Sequence, residues 1–278
     1  MNVCDLHTHS VFSDGTYTPG ELLSAAEDIG LSALALCDHN TVAGLPDFLA
    51  AAQGSAVEAV PGAEFSTDLD GTELHLLGLF IPTEYFAQVS DLMAEVNRRK
   101  EESNLALVDS LARAGYPLDY AAIRATSPGG TVNRAHIAAA LTAAGFAPSI
   151  KAAFASLLAP ECGHYREPKR LTVWAALDFV RSIGAVPVLA HPFLSLNAEA
   201  DLLTFLPRAK KAGLVGMECR YSTYSPAETR RALELAEAFG LRPSGGSDFH
   251  GGNKPDIHLG SGKGDLAVPL AWLDGLRP

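Results

Sequence analysis

The sequence predicts an α/β fold, a sheet or barrel of largely parallel strands with an all-helical insertion. Three observations carry this. Short apolar runs recur along the chain, amphipathic stretches with readable helix ends lie between them, and one long stretch has helical periodicity but no strand. The runs are Val3–His7, Leu34–Cys37, Val57–Glu64, Leu74–Ile81, Val186–Ala190, Val215–Arg220 and Pro243–Asp248. Their near-continuous apolar character predicts strands buried on both faces, as in parallel sheets. Thr18, Pro19 and Glu21 form a capping-box helix start and Gly30 a helix stop; Ser225, Pro226, Glu228 and Gly240 repeat the pattern. From about Thr83 to Arg170 no run reads as a strand. There Phe86, Val89, Met93 and Val96 have helix-face spacing, and further helices are expected over Asn104–Ala114, Asn133–Ala144 and Ile150–Leu158. The expected division is a barrel domain of 1–82 with 171–278, and a helical insertion of 83–170.

Composition narrows the function classes. The 278 residues are 47% hydrophobic and 19% charged, a globular balance rather than a disordered one. Lys plus Arg number 21 and Asp plus Glu 32, a net charge of −11. That argues against gripping long duplex nucleic acid by a broad basic face. A small phosphorylated substrate stays open, because bound cations reverse the sign locally. No run of about 18 apolar residues would span a membrane, and the opening MNVCDLHTHS lacks the basic start and apolar core of a secretory signal. Cys4, Cys37, Cys162 and Cys219 form no CxxC pair and suit a reducing, cytoplasmic setting. No partner protein is implied.

The chemistry is in the histidines and carboxylates. His7 and His9 stand two apart at the end of the first strand, so both imidazoles reach one side. Asp14 follows in a loop, His39 closes the second strand, Glu64 the third, His75 lies in the fourth, His191 ends the fifth, and Asp248 and His250 end the seventh. The C-terminal edge of such a sheet is where sites form. His75 alone would read as a hydrogen-bonded core histidine, and His-x-His alone is a weak motif. Six imidazoles and three acids at one edge are not core packing: unpaired burial would cost several kcal/mol each. Metal ligation compensates directly, and the donors suit Mn, Fe or Zn.

Five separated blocks, DLHTHSVFSDG, the DHN of the second strand, PGAEFS, the AHP of the fifth strand and GGSDFHG, resemble the polymerase-and-histidinol-phosphatase (PHP) family of metal-dependent phosphoesterases. The resemblance implies a distorted (β/α)7 barrel holding two or three divalent ions. It implies His7, His9, Glu64 and Asp248 at one ion, Asp14, His39 and His250 at a second, and Glu64, His75 and His191 at a third, with Asp14 standing where many relatives have histidine. Within the family, the likeness is to stand-alone bacterial enzymes that act on 3′,5′-nucleoside bisphosphates and trim short oligoribonucleotides.

The implied reaction is hydrolysis of a phosphate monoester without a covalent intermediate. Ions at such a site stabilise developing negative charge and lower the pKa of a bound water to supply hydroxide. Arg134 and His136, beside the possible N-cap Asn133, match an Arg-x-His pattern of close relatives. The arginine fork suits a second phosphate and the histidine a phosphate contact or protonation of the leaving oxygen. The segment Glu161–Tyr165 departs from the relatives' Gly-Lys-Pro-x-Tyr, keeping Tyr165 but placing Cys162 for the lysine; His164, Arg166, Lys169 and Arg170 are candidate replacements for its charge. Tyr165, His164 and Ser222 complete the candidate substrate contacts, with Tyr221 and Tyr224 as further pocket candidates. A histidinol-phosphate or other metabolite phosphatase, and a non-catalytic module in which ions only hold the fold, remain the alternatives.

Overall fold

The computed structural model describes residues 2–126, 132, 134–168, 170–196 and 199–278. It forms two compact units, one of residues up to Asp91 together with Leu171–Pro278, the other Leu92–Arg170.

The first unit is a barrel-shaped sheet with helices outside. Its strands are β1 (Val3–Thr8), β2 (Ala33–Leu36), β3 (Glu58–Leu69), β4 (Thr72–Leu79), β5 (Leu171–Thr172), β6 (Val186–Leu189), β7 (Gly216–Tyr221), β8 (Arg242–Gly246) and β9 (Val268–Pro269). Their order is β8-β7-β6-β4-β3-β2-β1-β9, with β5 on β3. The sheet closes where β1 meets the end of β8: Asp248 N–H donates to His7 O at 2.8 Å and His9 N–H to Phe249 O at 2.9 Å. Gly246 permits this approach, since a Cβ there would fall 2.4 Å from the His7 Cβ. Inside the barrel pack Leu6, Ala35, Cys37, Val60, Leu77, Leu79, Val188 and Ala190, all buried.

Two strands depart from the parallel expectation: the short β9 pairs antiparallel with β1, and β4 runs antiparallel to both β3 and β6. For β4 the cause is local. Asp70 and Gly71 both have positive φ (50° and 91°), the two-residue hairpin geometry that Asp-Gly favours. A direct turn leaves no crossover, so β4 returns antiparallel, and His75 reaches the same edge as the strand ends from the first half of its own strand. Helices α1 (Pro19–Asp28) and α10 (Pro226–Ala238) have the capping boxes expected of Thr18/Glu21 and Ser225/Glu228. The barrel also carries α2 (Leu45–Ala51), α7 (Val173–Ser182), α8 (Pro192–Ser195), α9 (Glu199–Ala212) and α11 (Leu270–Leu276).

The expected first two insertion helices are one, α3 (Phe86–Arg113). No glycine or proline interrupts this stretch, and Arg98 pairs with Glu95 and Glu102 across its middle. The second unit continues with α4 (Tyr120–Ala125), α5 (Arg134–Ala143) and α6 (Ile150–Ser156) around a core of Leu107, Leu111, Ile137, Leu141, Ala153 and Leu158. Asn133, the expected cap of α5, lies outside the described residues. Among the described residues no helix is long and apolar enough to cross a membrane.

Candidate active site

All nine candidate ligands lie in the barrel unit, around Glu64. This carboxylate is fully buried at the end of the β2–β3 pair, where Glu64 N–H donates to Asp38 O at 3.2 Å and Asn40 N–H to Glu64 O at 2.8 Å. Its Oε1 lies 2.7 Å from His75 Nδ1 and 3.1 Å from His191 Nε2. Its Oε2 lies 3.1 Å from His7 Nε2, 3.3 Å from His9 Nε2 and 3.1 Å from His39 Nδ1. Asp248 Oδ1 stands 3.1 Å from His9 Nε2, and Asp14 Oδ1 3.1 Å from His250 Nε2. One donor atom from each residue, all within 4.8 Å of one another, can be chosen in three groups: His7, His9, Glu64, Asp248; His9, Asp14, His39, His250; and His39, Glu64, His75.

The alignment of these atoms is as informative as their distances. His7 Nε2, both ring nitrogens of His9, and Glu64 Oε2 are buried without a hydrogen-bond partner, although oppositely charged groups lie within ion-pair range. Buried polar atoms are rarely left so. Donors that face a common centre rather than one another leave this pattern, and a mixed imidazole–carboxylate set suits a divalent transition metal. The residues present therefore fit metal ions.

The outer nitrogens are occupied differently. His7 Nδ1 lies 3.0 Å from Glu218 Oε1, and His250 Nδ1 2.8 Å from the Asp248 carbonyl oxygen. With Nδ1–H donating outward, each Nε2 lone pair is turned to the cluster, the usual arrangement of metal-binding histidines. Glu218 is fully buried in β7, and its other oxygen accepts from His191 N–H at 2.6 Å. Asp38 holds the loop that carries Asp14, accepting from Ser10 N–H at 2.7 Å and from the Ser10 and Ser13 hydroxyls at 2.6 Å each. Asp5 accepts from Ser247 N–H at 2.8 Å, beside the barrel closure. Asp248 Oδ2 accepts from the Tyr221 hydroxyl at 2.7 Å and the Lys254 ammonium at 2.6 Å. Asn40, His191 and Asp248 hold positive φ (51°, 27° and 56°). For non-glycine residues that strain costs about 1–3 kcal/mol each and collects at functional sites.

Electrostatics bind the cluster together. Burial opposes charge on Glu64, yet His39, His7 and His75 hold its carboxyl well below the usual range. Burial likewise opposes charge on His9 and His75, but their carboxylate contacts raise them to about 9 and about 10. Burial, with Asp248 nearby, pushes the Tyr221 phenol far up, so it remains a donor.

Of the expected substrate contacts, Arg134, His136, His164 and Tyr165 belong to the helical unit and Ser222 to the barrel unit. Arg134 and Tyr165 meet within the helical unit, the guanidinium 4.4 Å from the ring centre, with Phe154 at 5.9 Å. His164 Nδ1 pairs with the Ser110 hydroxyl at 2.9 Å. His136 lies in the first turn of α5, half-buried. Ser222 is buried in the barrel unit and donates to Ser247 O at 2.5 Å, and Tyr221 and Tyr224 are each only 8% exposed, which leaves little ring face for stacking. Of the basic residues near Cys162, Lys169 lies outside the described residues and Arg170 pairs with Glu167 at 2.9 Å. Sequence reasoning missed Glu218 and Lys254. Glu218 had a readable signal, an acid inside the apolar run Val215–Cys219 that needs a buried partner. Lys254 had none.

Comparison with known proteins agrees. The PHP domain pattern matches residues 5–157. The 5′-3′ exoribonuclease Rnm of Escherichia coli is 32% identical over 252 residues, covering 89% of this chain and 85% of that protein. The phosphoribosyl 1,2-cyclic phosphate 1,2-diphosphodiesterase of Eggerthella lenta is 30% identical, covering 89% and 94%. The 3′,5′-nucleoside bisphosphate phosphatase of Chromobacterium violaceum is 28% identical, covering 88% and 86%. A crystal structure from Bifidobacterium adolescentis, provisionally described as a metal-dependent phosphoesterase, superposes with a TM-score of 0.79 over 98% of this chain and 94% of its own at 26% identity. The barrel, its donor-lined edge and these likenesses define a phosphoric ester hydrolase. The chain belongs to the PHP domain family.

Proposed function

We propose that this phosphoesterase hydrolyses phosphate esters of small nucleotides or short oligonucleotides, with 3′,5′-nucleoside bisphosphate as the leading substrate, and that two or three divalent ions (Mn, Fe or Zn) serve it. The observation that carries the metal reading is Glu64: a single buried carboxylate approached by five imidazoles, several of whose nitrogens have no hydrogen-bond partner. The nucleotide reading is supported by the named activities of the exoribonuclease and bisphosphate phosphatase relatives.

His7, His9, Glu64 and Asp248 would hold one ion, Asp14, His39 and His250 a second, and Glu64, His75 and His191 a third. Bound divalent ions supply Lewis acidity toward a phosphoryl oxygen and a water of lowered pKa. The chain's own groups do the rest. Glu218 and the Asp248 carbonyl keep His7 and His250 in the tautomer that leaves Nε2 unprotonated. The Tyr221 hydroxyl fixes the outer oxygen of Asp248 so that Oδ1 faces inward. Asp38 fixes the Ser10–Ser13 segment that precedes Asp14. Arg134 and His136, with His164, Tyr165 and Ser222, are our candidates for substrate recognition, Arg134 for a second phosphate, and His136 for the leaving oxygen or a phosphate. A cytoplasmic location accords with the four free cysteines.

The test is phosphate release by the Mn2+-loaded protein from adenosine 3′,5′-bisphosphate, 5′-phosphorylated oligoribonucleotides and histidinol phosphate. Preference for the first two is expected, and preference for histidinol phosphate would overturn the substrate assignment. Arg134→Ala should weaken the bisphosphate far more than adenosine 5′-monophosphate; equal losses would remove Arg134 from second-phosphate recognition.

A further inference from the structure

A cavity of about 480 Å3 opens beside the cluster, its wall including His39, Glu64, His75, His191, Asp248 and Lys254. Lys254 is the one lysine or arginine among the described residues that line it. Its ammonium lies 2.6 Å from Asp248 Oδ2, and its side chain is 40% exposed.

Orientation of Asp248 does not explain this lysine. The same oxygen already accepts from the buried Tyr221 hydroxyl at 2.7 Å. A phenol on a rigid ring fixes a carboxylate; a hydrated ammonium on a flexible four-carbon stem adds little to that. What it adds is a compact positive charge with further N–H donors beyond the one Asp248 accepts. The backbone that carries it is anchored. Lys254 N–H donates to Gly251 O at 3.1 Å, Asn253 Nδ2 donates to Asp14 O at 2.8 Å, and Gly252 N–H donates to the Thr16 hydroxyl at 2.8 Å. The loop is thus tied to the segment bearing Asp14, and it sets the partly exposed ammonium at the cavity wall.

We propose that Lys254 contacts the substrate directly, donating to a non-bridging oxygen of the phosphate group seated beside the cluster, and that it holds the phosphate product in the same way. The inference rests on the phosphoesterase reading and adds a phosphate ligand to it. Asp248 Oδ2, kept in place by Tyr221, acts as the resting partner that holds the ammonium at the cavity wall when no phosphate is bound.

The experiment compares wild type, Lys254→Met and Lys254→Arg, each loaded with Mn2+. Inorganic phosphate is titrated in by calorimetry, Mn content is measured by elemental analysis, and KM and kcat are determined for adenosine 3′,5′-bisphosphate. One charge-assisted hydrogen bond corresponds to roughly 10- to 100-fold in affinity. Lys254→Met should weaken phosphate by about that factor and raise KM, with Mn content equal to wild type, and Lys254→Arg should recover part of the loss. Phosphate affinity within twofold of wild type in Lys254→Met would overturn the proposal. So would loss of bound Mn in that variant, which would make Lys254 a positioning residue acting through Asp248. A wild type inert on every phosphate ester would count against the phosphoesterase reading itself, and the phosphate titration would still decide for or against Lys254.

Discussion

Glu218→Gln is the most informative single change. Glu218 is fully buried and bridges two candidate ligands, accepting from His7 Nδ1–H at 3.0 Å and from His191 N–H at 2.6 Å. Glutamine preserves the volume but has one acceptor oxygen where two donors converge. One of them must then face an amide NH2, leaving a buried donor unpaired, at a cost of about 1–3 kcal/mol. If His7 is the one left unsupported, its ring loses both tautomer and orientation, and loss of an outer partner of this kind typically costs about 10- to 100-fold in metal affinity. Two measurements separate the contributions: urea unfolding of metal-free protein, and calorimetric titration of Mn2+. Stability should fall by about 1–3 kcal/mol and Mn2+ affinity by about 10- to 100-fold. Reduced stability with Mn2+ affinity within twofold of wild type would refute the orienting role.

Two further outcomes follow from the geometry. In Gly246→Ala the new methyl would fall 2.4 Å from His7 Cβ and 2.5 Å from His7 N; such overpacking at the barrel seam should cost about 1–3 kcal/mol, seen as a lower Tm, and an unchanged Tm would contradict the closure described. The raised values of His9 and His75, about 9 and about 10, mean that both rings carry protons at neutral pH in the metal-free protein. Ion binding must displace them, so Mn2+ binding at pH 7 should release protons, measured as a dependence of the calorimetric enthalpy on buffer ionisation enthalpy, and no dependence would contradict it. The sign for stability is opposite. Folded values above the unfolded histidine value of about 6.5 stabilise the metal-free protein below that pH, and the contribution is lost as pH rises through about 9 to 10.

Much of this was legible because periodicity and capping are local. The seven long barrel strands lie where apolar runs predicted them, and both capping boxes occur at Thr18 and Ser225. The direction of β4 was not read, although Asp70-Gly71 carried the signal: apolar character reports burial, not strand polarity. The nine candidate ligands stood out because charged and imidazole groups at strand ends need a shared reason to be buried. Their supports were harder to see. Glu218 and Asp38 act through partners far along the chain, His7 at a separation of 211 residues and Ser10 at 28, and no spacing rule encodes such pairs. Lys254 reads as an ordinary loop lysine until folding sets it on the cavity wall beside Asp248.

The central claim is that six histidines and three acids gather to hold cations around Glu64. Anomalous scattering at the manganese edge from crystals of the Mn2+-loaded protein addresses it most directly. Peaks in direct contact with Glu64 and the surrounding imidazoles are expected. Clean density there without an anomalous signal, in crystals of protein that still releases phosphate, would contradict the account.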